Sequence, residues 1–363
     1  MDIERELPKY PVVSDVWKHL QNTDKPIVVY GMGNGADKLL SRLDEYGVTV
    51  SDFFASDGFV RGHSFHGKRV MSFSEIKEKY DDFIILVSFA SKLADVVEKI
   101  YSLKEQYELY VPDMPVVGNI YFDSDFYNKN YTEIKKAYDL LEDKASKHVF
   151  SGVVWYKLTA DISYLCDTFS KEECYSLLDC SSYKIALDAG AYNGDTAKEF
   201  ISCFPELKKI YAIEPDPKNC EKLRRYAESV SCDIEIEEAA LWNEDGETAF
   251  SSSKNRNSSI SNSSHQYRTV KVNLRRLDSI VSSSVDYIKY DVEGSEREAL
   301  EGSAETIKRY SPDLLVSLYH KSEDIFSLIN YVSDNYKNYK LYLRRLYCLP
   351  AWELNLYAVK NIK

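Results

Sequence analysis

Residues 184–196 read KIALDAGAYNGDT. An apolar run, Ile185–Leu187, meets D-x-G-x-x-x-G and then residues that suit a helix. Strand, tight turn and helix in that order are the building unit of an open α/β sheet. Gly190 removes the steric cost of a sharp bend at the strand's carboxyl end. Gly194 is expected to let a ligand approach the backbone, and Asp195 or Thr196 to cap the helix that follows. Ligands of such sheets gather outside the carboxyl ends of the strands, where the strand order reverses. Asp188, Gly190, Ala191, Tyr192, Gly194, Asp195 and Thr196 are therefore candidate binding residues. The alternative is a tight turn with no ligand.

Working outward from this turn, strand-like runs follow at 209–214, 234–241, 247–251, 269–274, 286–291, 313–320, 340–345 and 353–360. Only a loop with Pro350 and Trp352 separates the last two. That predicts an antiparallel hairpin closing an otherwise parallel sheet, whereas a dinucleotide-binding half ends in another strand–helix unit. The run 209–214 finishes on Glu214, followed by Pro215. A carboxylate about 20 residues past a glycine turn is placed to accept the ribose hydroxyls of a nucleoside. An acid is tolerated better beside a sulfonium than beside a pyrophosphate, so Asp188 and Glu214 favour a cationic adenosyl ligand. Ala240 and Leu241, at the end of the next run, complete the set.

Residues 286–296, DYIKYDVEGSE, contain a second departure from pattern. A central parallel strand should be nearly all apolar, yet Lys289 and Asp291 fall on one face of it. Unpaired buried charge is costly, so the two are expected to pair or to face a site. Glu293 follows the strand end, with Gly294 allowing a turn. Lys289, Asp291 and Glu293 are candidate catalytic residues, and His320, at the end of the run 313–320, joins them. The alternative is a structural ion pair with helix-capping residues beside it.

Ahead of residue 184, strand-like runs at 25–30, 48–54, 83–89 and 108–111 alternate with helical patterns at 36–46, 73–80 and 91–101. This predicts a small Rossmann-like α/β domain over residues 1–118. Its first turn, Gly31-x-Gly33-x-Gly35, has Asp52 and Asp57 some 20 residues on, the pattern of a nucleotide site. A fold kept for packing or for a homodimer through this domain is the other reading. His63 and His66 sit in a glycine-flanked loop without cysteine partners, and no metal site is assigned. Residues 119–182 lack strand alternation. They read as a helical connector with helices at 131–143 and 171–178, the second opened by a Ser170–Glu173 capping box. Residues 183–363 form the third unit. Within it, Ser251–Ser264 is too polar to pack a core and reads as a loop or lid.

Bulk properties narrow the options. At 363 residues the chain suits two domains, and its net charge of −12 gives no global case for binding nucleic acid or an anionic membrane. Arg344–Arg345 is a local basic pair, able to meet an acceptor phosphate or carboxylate or simply to be solvated. The opening MDIERELPKY lacks the apolar core of a signal peptide, and the longest apolar runs are strand-sized, so no membrane span is expected. Seven scattered cysteines without C-x-x-C pairing point to reduced thiols in a cytoplasmic protein.

Residues 184–320 resemble the FkbM family of methyltransferases. The likeness is carried by LDAGAYNGDT, YAIEPDP, LDSI at 277–280 and, above all, DYIKYDVEGSEREALEG. VSLYHKSEDIF, YKLYLRR and ELNLYAV are similar to members with an extra N-terminal domain. The resemblance implies a class I methyltransferase fold, S-adenosylmethionine as cofactor, and O-methylation of a small-molecule or glycan acceptor, mostly a sugar. On it, Asp188, Gly190 and Gly194 match the cofactor turn, Glu214 the ribose acid, and Asp291, Glu293 and Gly294 the family's D-x-E-G. A sugar hydroxyl needs a base or a metal to become nucleophilic. His320 or Asp291 is the expected base. The same carboxylates suit a divalent metal, although the spacing demands none. The competing readings are an NAD- or nucleotide-sugar-binding enzyme using the first glycine turn, and an assembly protein without turnover.

Overall fold

The computed structural model describes residues 5–56, 58, 60, 62–169, 171–252 and 268–361. Asp57, Ser170 and most of the serine-rich segment, residues 253–264, lie outside them.

Two sheets organise the molecule. The first comprises β1 (Ile27–Tyr30), β2 (Asp52–Phe54), β3 (Ser64–Phe65), β4 (Lys68–Met71), β5 (Ile84–Val87) and β6 (Glu108–Tyr110), in the order β3-β4-β2-β1-β5-β6. All neighbours are parallel except β3 and β4. β1 and β5 are buried along their whole length, as IVVY and IILV require. The β3–β4 hairpin was not expected; it turns at His66 and Gly67, both with positive φ.

The second sheet contains β7 (Ile185–Ala189), β8 (Lys209–Ile213), β9 (Asp233–Glu237), β13 (Tyr287–Tyr290), β14 (Asp313–Ser317), β15 (Tyr339–Arg345) and β16 (Leu354–Lys360), ordered β15-β16-β14-β13-β7-β8-β9. Five strands are parallel, and β16 and β15 form the expected antiparallel hairpin. Strand order reverses at β7, between β8 and β13. The expected strand 234–241 is in fact two. β9 ends at Glu237, and β10 (Ala240–Leu241) joins a separate small sheet with β11 (Gly246–Ser252) and β12 (Arg268–Arg275).

The connector departs most from expectation. Its first helix runs Ser124–Asp139, not 131–143, because Asp123 caps it by accepting from the Phe126 N–H. A second helix, Lys144–Thr159, was unforeseen. Most of it is buried, so it lacks the polar face by which a surface helix is recognised. The second helix and the link before it serve the edge strand β15, whose free backbone groups would otherwise be open to other chains. Glu142 N–H donates to the Leu341 carbonyl (3.0 Å), and Leu343 N–H to Ser146 Oγ (2.8 Å). Arg344 forks onto Asp143, and Arg345 donates to Thr168 Oγ1 and the Leu165 and Cys348 carbonyls. Both arginines are buried. They clamp the connector to the hairpin and meet neither acceptor nor solvent.

One apolar core runs from Val28 and Ile85 in the first sheet, through Phe150 of the connector, to Ile288 and Leu314 in the second. No described helix is long and apolar enough to cross a membrane.

Candidate active site

A cavity of about 900 Å³ opens where the strand order reverses. Its floor is the bend after β7. The N–H groups of Gly190 and Ala191 both donate to the Ile213 carbonyl, sewing the bend to the end of β8. Gly190 has φ +87°, and a Cβ there would lie 1.9 Å from the Asp291 carbonyl oxygen. Only glycine lets the ends of β7 and β13 converge this closely. Gly194 does a different job from the one expected. At φ +90° its absent Cβ would meet Leu223 at 2.9 Å, so it seats the helix Pro217–Ala227, and it is not among the residues lining the cavity. Nor does Asp195 or Thr196 cap the next helix, because Gly194 holds the N-cap position and Asp195 accepts only from its neighbour's N–H.

Glu214 stands one residue beyond β8, against the bend. Its Oε2 accepts from the Tyr192 N–H (2.9 Å) and its Oε1 from the Asp216 N–H (2.9 Å) and Asn219 (3.3 Å). Burial pushes its carboxyl up to about 7, against the pull of these donors. Gly190, Tyr192, Asp195, Thr196, Glu214, Pro215, Ala240, Leu241 and Asp291 all line the cavity. Asp188 and Ala191 are fully buried and stand behind its wall.

The reason for Asp188 lies in the register, which sets it beside Lys289. Lys289 Nζ is 3.7 Å from Asp188, 3.1 Å from Asp291 and 3.3 Å from Thr196 Oγ1. Burial opposes the ammonium, but the carboxylates of Asp291 and Asp188 outweigh it and hold Lys289 charged. Asp188, with neither oxygen hydrogen-bonded, is pushed up by burial to about 6. Burial likewise works against Asp291, yet Lys289 and His320 keep it well below the usual carboxylate range. Tyr319 donates its hydroxyl to Asp291 Oδ1 (3.0 Å).

His320 is not placed to be a base. Its ring is 1% exposed, with Nδ1 2.9 Å from Glu296 Oε1 and Nε2 3.6 Å from both Asp291 Oδ1 and Glu293 Oε2. Burial alone would lower its pKa; three carboxylates raise it to about 10. The ring is an imidazolium at neutral pH and has no lone pair to offer. Glu293 behaves oppositely. It lines the cavity, and burial pushes it up to about 7 while His320 pulls it back. Its backbone is left-handed (φ +52°), and Glu296 holds the bend by accepting from the Val292 (2.9 Å) and Gly294 (3.3 Å) N–H groups. Asp291, Glu296 and His320 are the one group among the described residues whose ligand atoms cluster within 4.8 Å. The imidazolium supplies the positive charge that a cation would bring there.

Residues 188–341 match the family model described as the methyltransferase FkbM domain. The chain carries an FkbM methyltransferase domain. In fold, the methyltransferase is similar to the crystal structure of methyltransferase FkbM from Methylobacillus flagellatus KT, at 20% identity over 92% of this chain and 90% of that one, with a TM-score of 0.66. An rRNA methylase from Streptococcus thermophilus (15% identity, 52% of this chain and 92% of that one, TM-score 0.35) and a precorrin-6y C5,15-methyltransferase from Geobacter metallireducens GS-15 (12%, 52% and 86%, TM-score 0.35) are more distant. No curated protein matches the chain significantly. The enzyme is thus an S-adenosylmethionine-dependent methyltransferase with a second α/β sheet ahead of its methyltransferase domain.

In the first sheet, the glycine turn is tightly packed at two of its three glycines. A Cβ on Gly31 would meet Ser88 Oγ at 2.6 Å, and one on Gly35 the Ser88 carbonyl at 2.0 Å. The end of β5 packs against the turn at these two positions, whereas a Cβ on Gly33 would meet nothing within 4 Å. Asp52 is level with Val28, at the far end of β2 from the turn, and is taken by Lys79 and the Tyr80 hydroxyl. His66 pairs with Asp37 (2.8 Å) at the surface.

Several residues of the methyltransferase site were not legible beforehand. Glu296 sits behind the bend, and no local pattern singled it out. Gly294, at φ +93°, has Val117 at 3.2 Å from its absent Cβ, and Val117 N–H donates to the His320 carbonyl (2.9 Å). The segment after the first sheet thus braces the D-x-E-G bend, a contact no local pattern announces.

Proposed function

We propose that this methyltransferase alkylates a hydroxyl oxygen, on a sugar or glycan acceptor, with Glu293 as general base. The observation that carries the reading is the pairing, in one cavity, of Glu214 at the glycine bend with Glu293, a carboxyl poised near pH 7. The cavity volume falls within the range of small-molecule sites, about 300–1,000 Å³. The donor set fits the cofactor: Glu214 for the ribose hydroxyls, the bend from Gly190 to Thr196 with Ala240 and Leu241 for the rest, and Asp291 as the anion nearest a positive sulfur. S-adenosylmethionine, when bound, supplies an electrophilic methyl group on that cationic sulfur.

The chain's own residues do the remainder. Glu293 takes the acceptor hydroxyl proton, a contribution of about 10²–10⁴-fold when pKa and operating pH match. His320, held charged by Glu296, positions Glu293 and offsets the repulsion of Asp291. Lys289 and Tyr319 keep Asp291 ionised, so the proton goes to Glu293. The division into an N-terminal unit (1–118), a connector (119–182) and the methyltransferase domain (183–363) belongs to the same reading. Its test is calorimetric titration with S-adenosylhomocysteine, followed by transfer from methyl-labelled cofactor to a panel of methyl glycosides and nucleotide sugars. Labelled product that resists mild base and forms only with hydroxyl acceptors is the expected result. Tight binding with no transfer to any hydroxyl acceptor would count against it.

A further inference from the structure

The cavity wall extends beyond the groups that the reaction above requires. Leu346, Glu353, Asn355 and Tyr357, from the terminal hairpin and its loop, also line it, as does Lys92. Among the described residues, Lys92 is the one wall member from before residue 170. Its place is set by backbone. Ser91 N–H donates to the Leu349 carbonyl (2.7 Å), and Leu349 N–H returns to the Ser91 carbonyl (3.0 Å). This reciprocal pair pins the loop after β5 to the hairpin loop and delivers the next residue, Lys92, to Glu353, with which it forms an ion pair. Glu353 is itself fixed. Its backbone is left-handed (φ +61°), and its carbonyl accepts from Leu346 N–H (3.0 Å) and Asn355 Nδ2 (3.2 Å). A strained non-glycine residue persists only where its surroundings hold it, and such residues gather at functional sites.

We propose that Lys92 and Glu353 together bind adjacent hydroxyls of the acceptor, so that the N-terminal unit selects the substrate. The inference rests on the methyl-transfer reading of this cavity. Their side chains are 60% and 22% exposed, and so open a pair adds little to stability. It does leave hydrogen-bonding capacity free. An ammonium has three N–H donors and a carboxylate about four acceptor positions, most of them unused by one contact. A vicinal diol matches this set: one oxygen accepts from Lys92 while the neighbouring O–H donates to Glu353. A phosphate or carboxylate matches it poorly, because it would have to displace a tethered counter-ion. The wall's other lysines are placed differently. Lys289 is committed to Asp188, Asp291 and Thr196, and Lys218 and Lys222 stand on the helix after Glu214, at the cofactor end.

The test uses the full-length enzyme saturated with S-adenosylhomocysteine, with methyl α-D-glucopyranoside, cyclohexanol and inorganic phosphate as probes in ligand-observed NMR titrations. Saturable glucoside binding is expected, with no comparable binding of cyclohexanol. Lys92→Met and Glu353→Gln should each weaken it about tenfold, the loss of one hydrogen bond to a charged group. Both variants should retain S-adenosylhomocysteine affinity within about twofold by calorimetry. Glucoside binding that is absent, or equal in all three proteins, overturns the proposal. So does phosphate binding that disappears in Lys92→Met, which would mark an anionic acceptor instead. Failure of the wild-type enzyme to bind S-adenosylhomocysteine would sink the methyl-transfer reading itself, and this pair with it.

Discussion

The chain makes the same glycine turn twice, after β1 and after β7, and the second opens on the cavity described above. At the first, the end of β5 returns over the turn, and the Ser88 side chain and carbonyl occupy the space beside Gly31 and Gly35, leaving Gly33 open. At the second, the neighbouring β13 approaches Gly190 equally closely, but its chain then swings away through the left-handed Glu293 and Gly294. The acids differ as well. Asp52 begins its strand and is consumed by Lys79 and Tyr80, whereas Glu214 follows its strand and is held by backbone N–H groups. A glycine turn therefore permits close approach without saying what approaches. The position of the acid along the second strand decides whether a ligand can be recognised.

The contrast can be broken most sharply at Glu293. Glu293→Gln should lower kcat by about 10²–10⁴-fold with S-adenosylhomocysteine affinity little changed, since it removes a proton acceptor and little volume. Unchanged turnover would move the chemistry elsewhere in the cavity. Next comes the pair of acids. Glu214→Ala should weaken S-adenosylhomocysteine by about 100-fold, the loss of two hydrogen bonds to a carboxylate. Asp52→Asn should leave that affinity alone and cost about 1 kcal/mol of stability, mainly the Tyr80 hydrogen bond. Equal effects of the two on binding would erase the distinction between the turns.

A smaller effect is expected from pH. Glu293 must be ionised to act and its carboxyl lies at about 7 in the free enzyme, so kcat/KM should rise through about pH 7 and level off above it. The same group binds its proton more tightly folded than unfolded, where the value is 4.5. Its contribution to stability therefore falls as pH rises from about 4.5 to about 7. A profile set instead by His320 would fall on the alkaline side near pH 10, as the imidazolium is lost. The smallest effect belongs to the first turn. Gly31→Ala meets Ser88 at a backbone φ of +116° and should cost about 1–3 kcal/mol in thermal unfolding, with no change in cofactor affinity.

Much of this was readable in advance, for identifiable reasons. The parallel strands are short apolar runs, and the absence of a helix before Leu354 forced the terminal hairpin. Lys289 and Asp291 were legible as a pair because charges on one face of a buried strand have few other choices. The run 234–241 was misread as one strand because a bend at Glu238 and Ala239 leaves no proline or glycine mark. The helix Lys144–Thr159 was missed because burial on nearly every side removes the period that reveals a helix. Arg344 and Arg345 looked like surface charge until the connector was seen to close over them.

By itself, the sequence determined the class of fold, the glycine bend after β7, the acid beyond β8 and the charged strand that faces them. These are local matters, settled by strand length, alternation and the few residues that tolerate a bend. The tertiary structure alone decided that His320 is held as a cation, that Glu293 and Glu214 are cavity carboxyls near neutrality, that β5 packs against the first glycine turn, and that Lys92 reaches a cavity built by residues far along the chain. Each depends on which charges and which atoms come within a few ångströms of one another. That proximity is fixed by sheet order and by the loops joining the two sheets, which no short stretch of sequence contains.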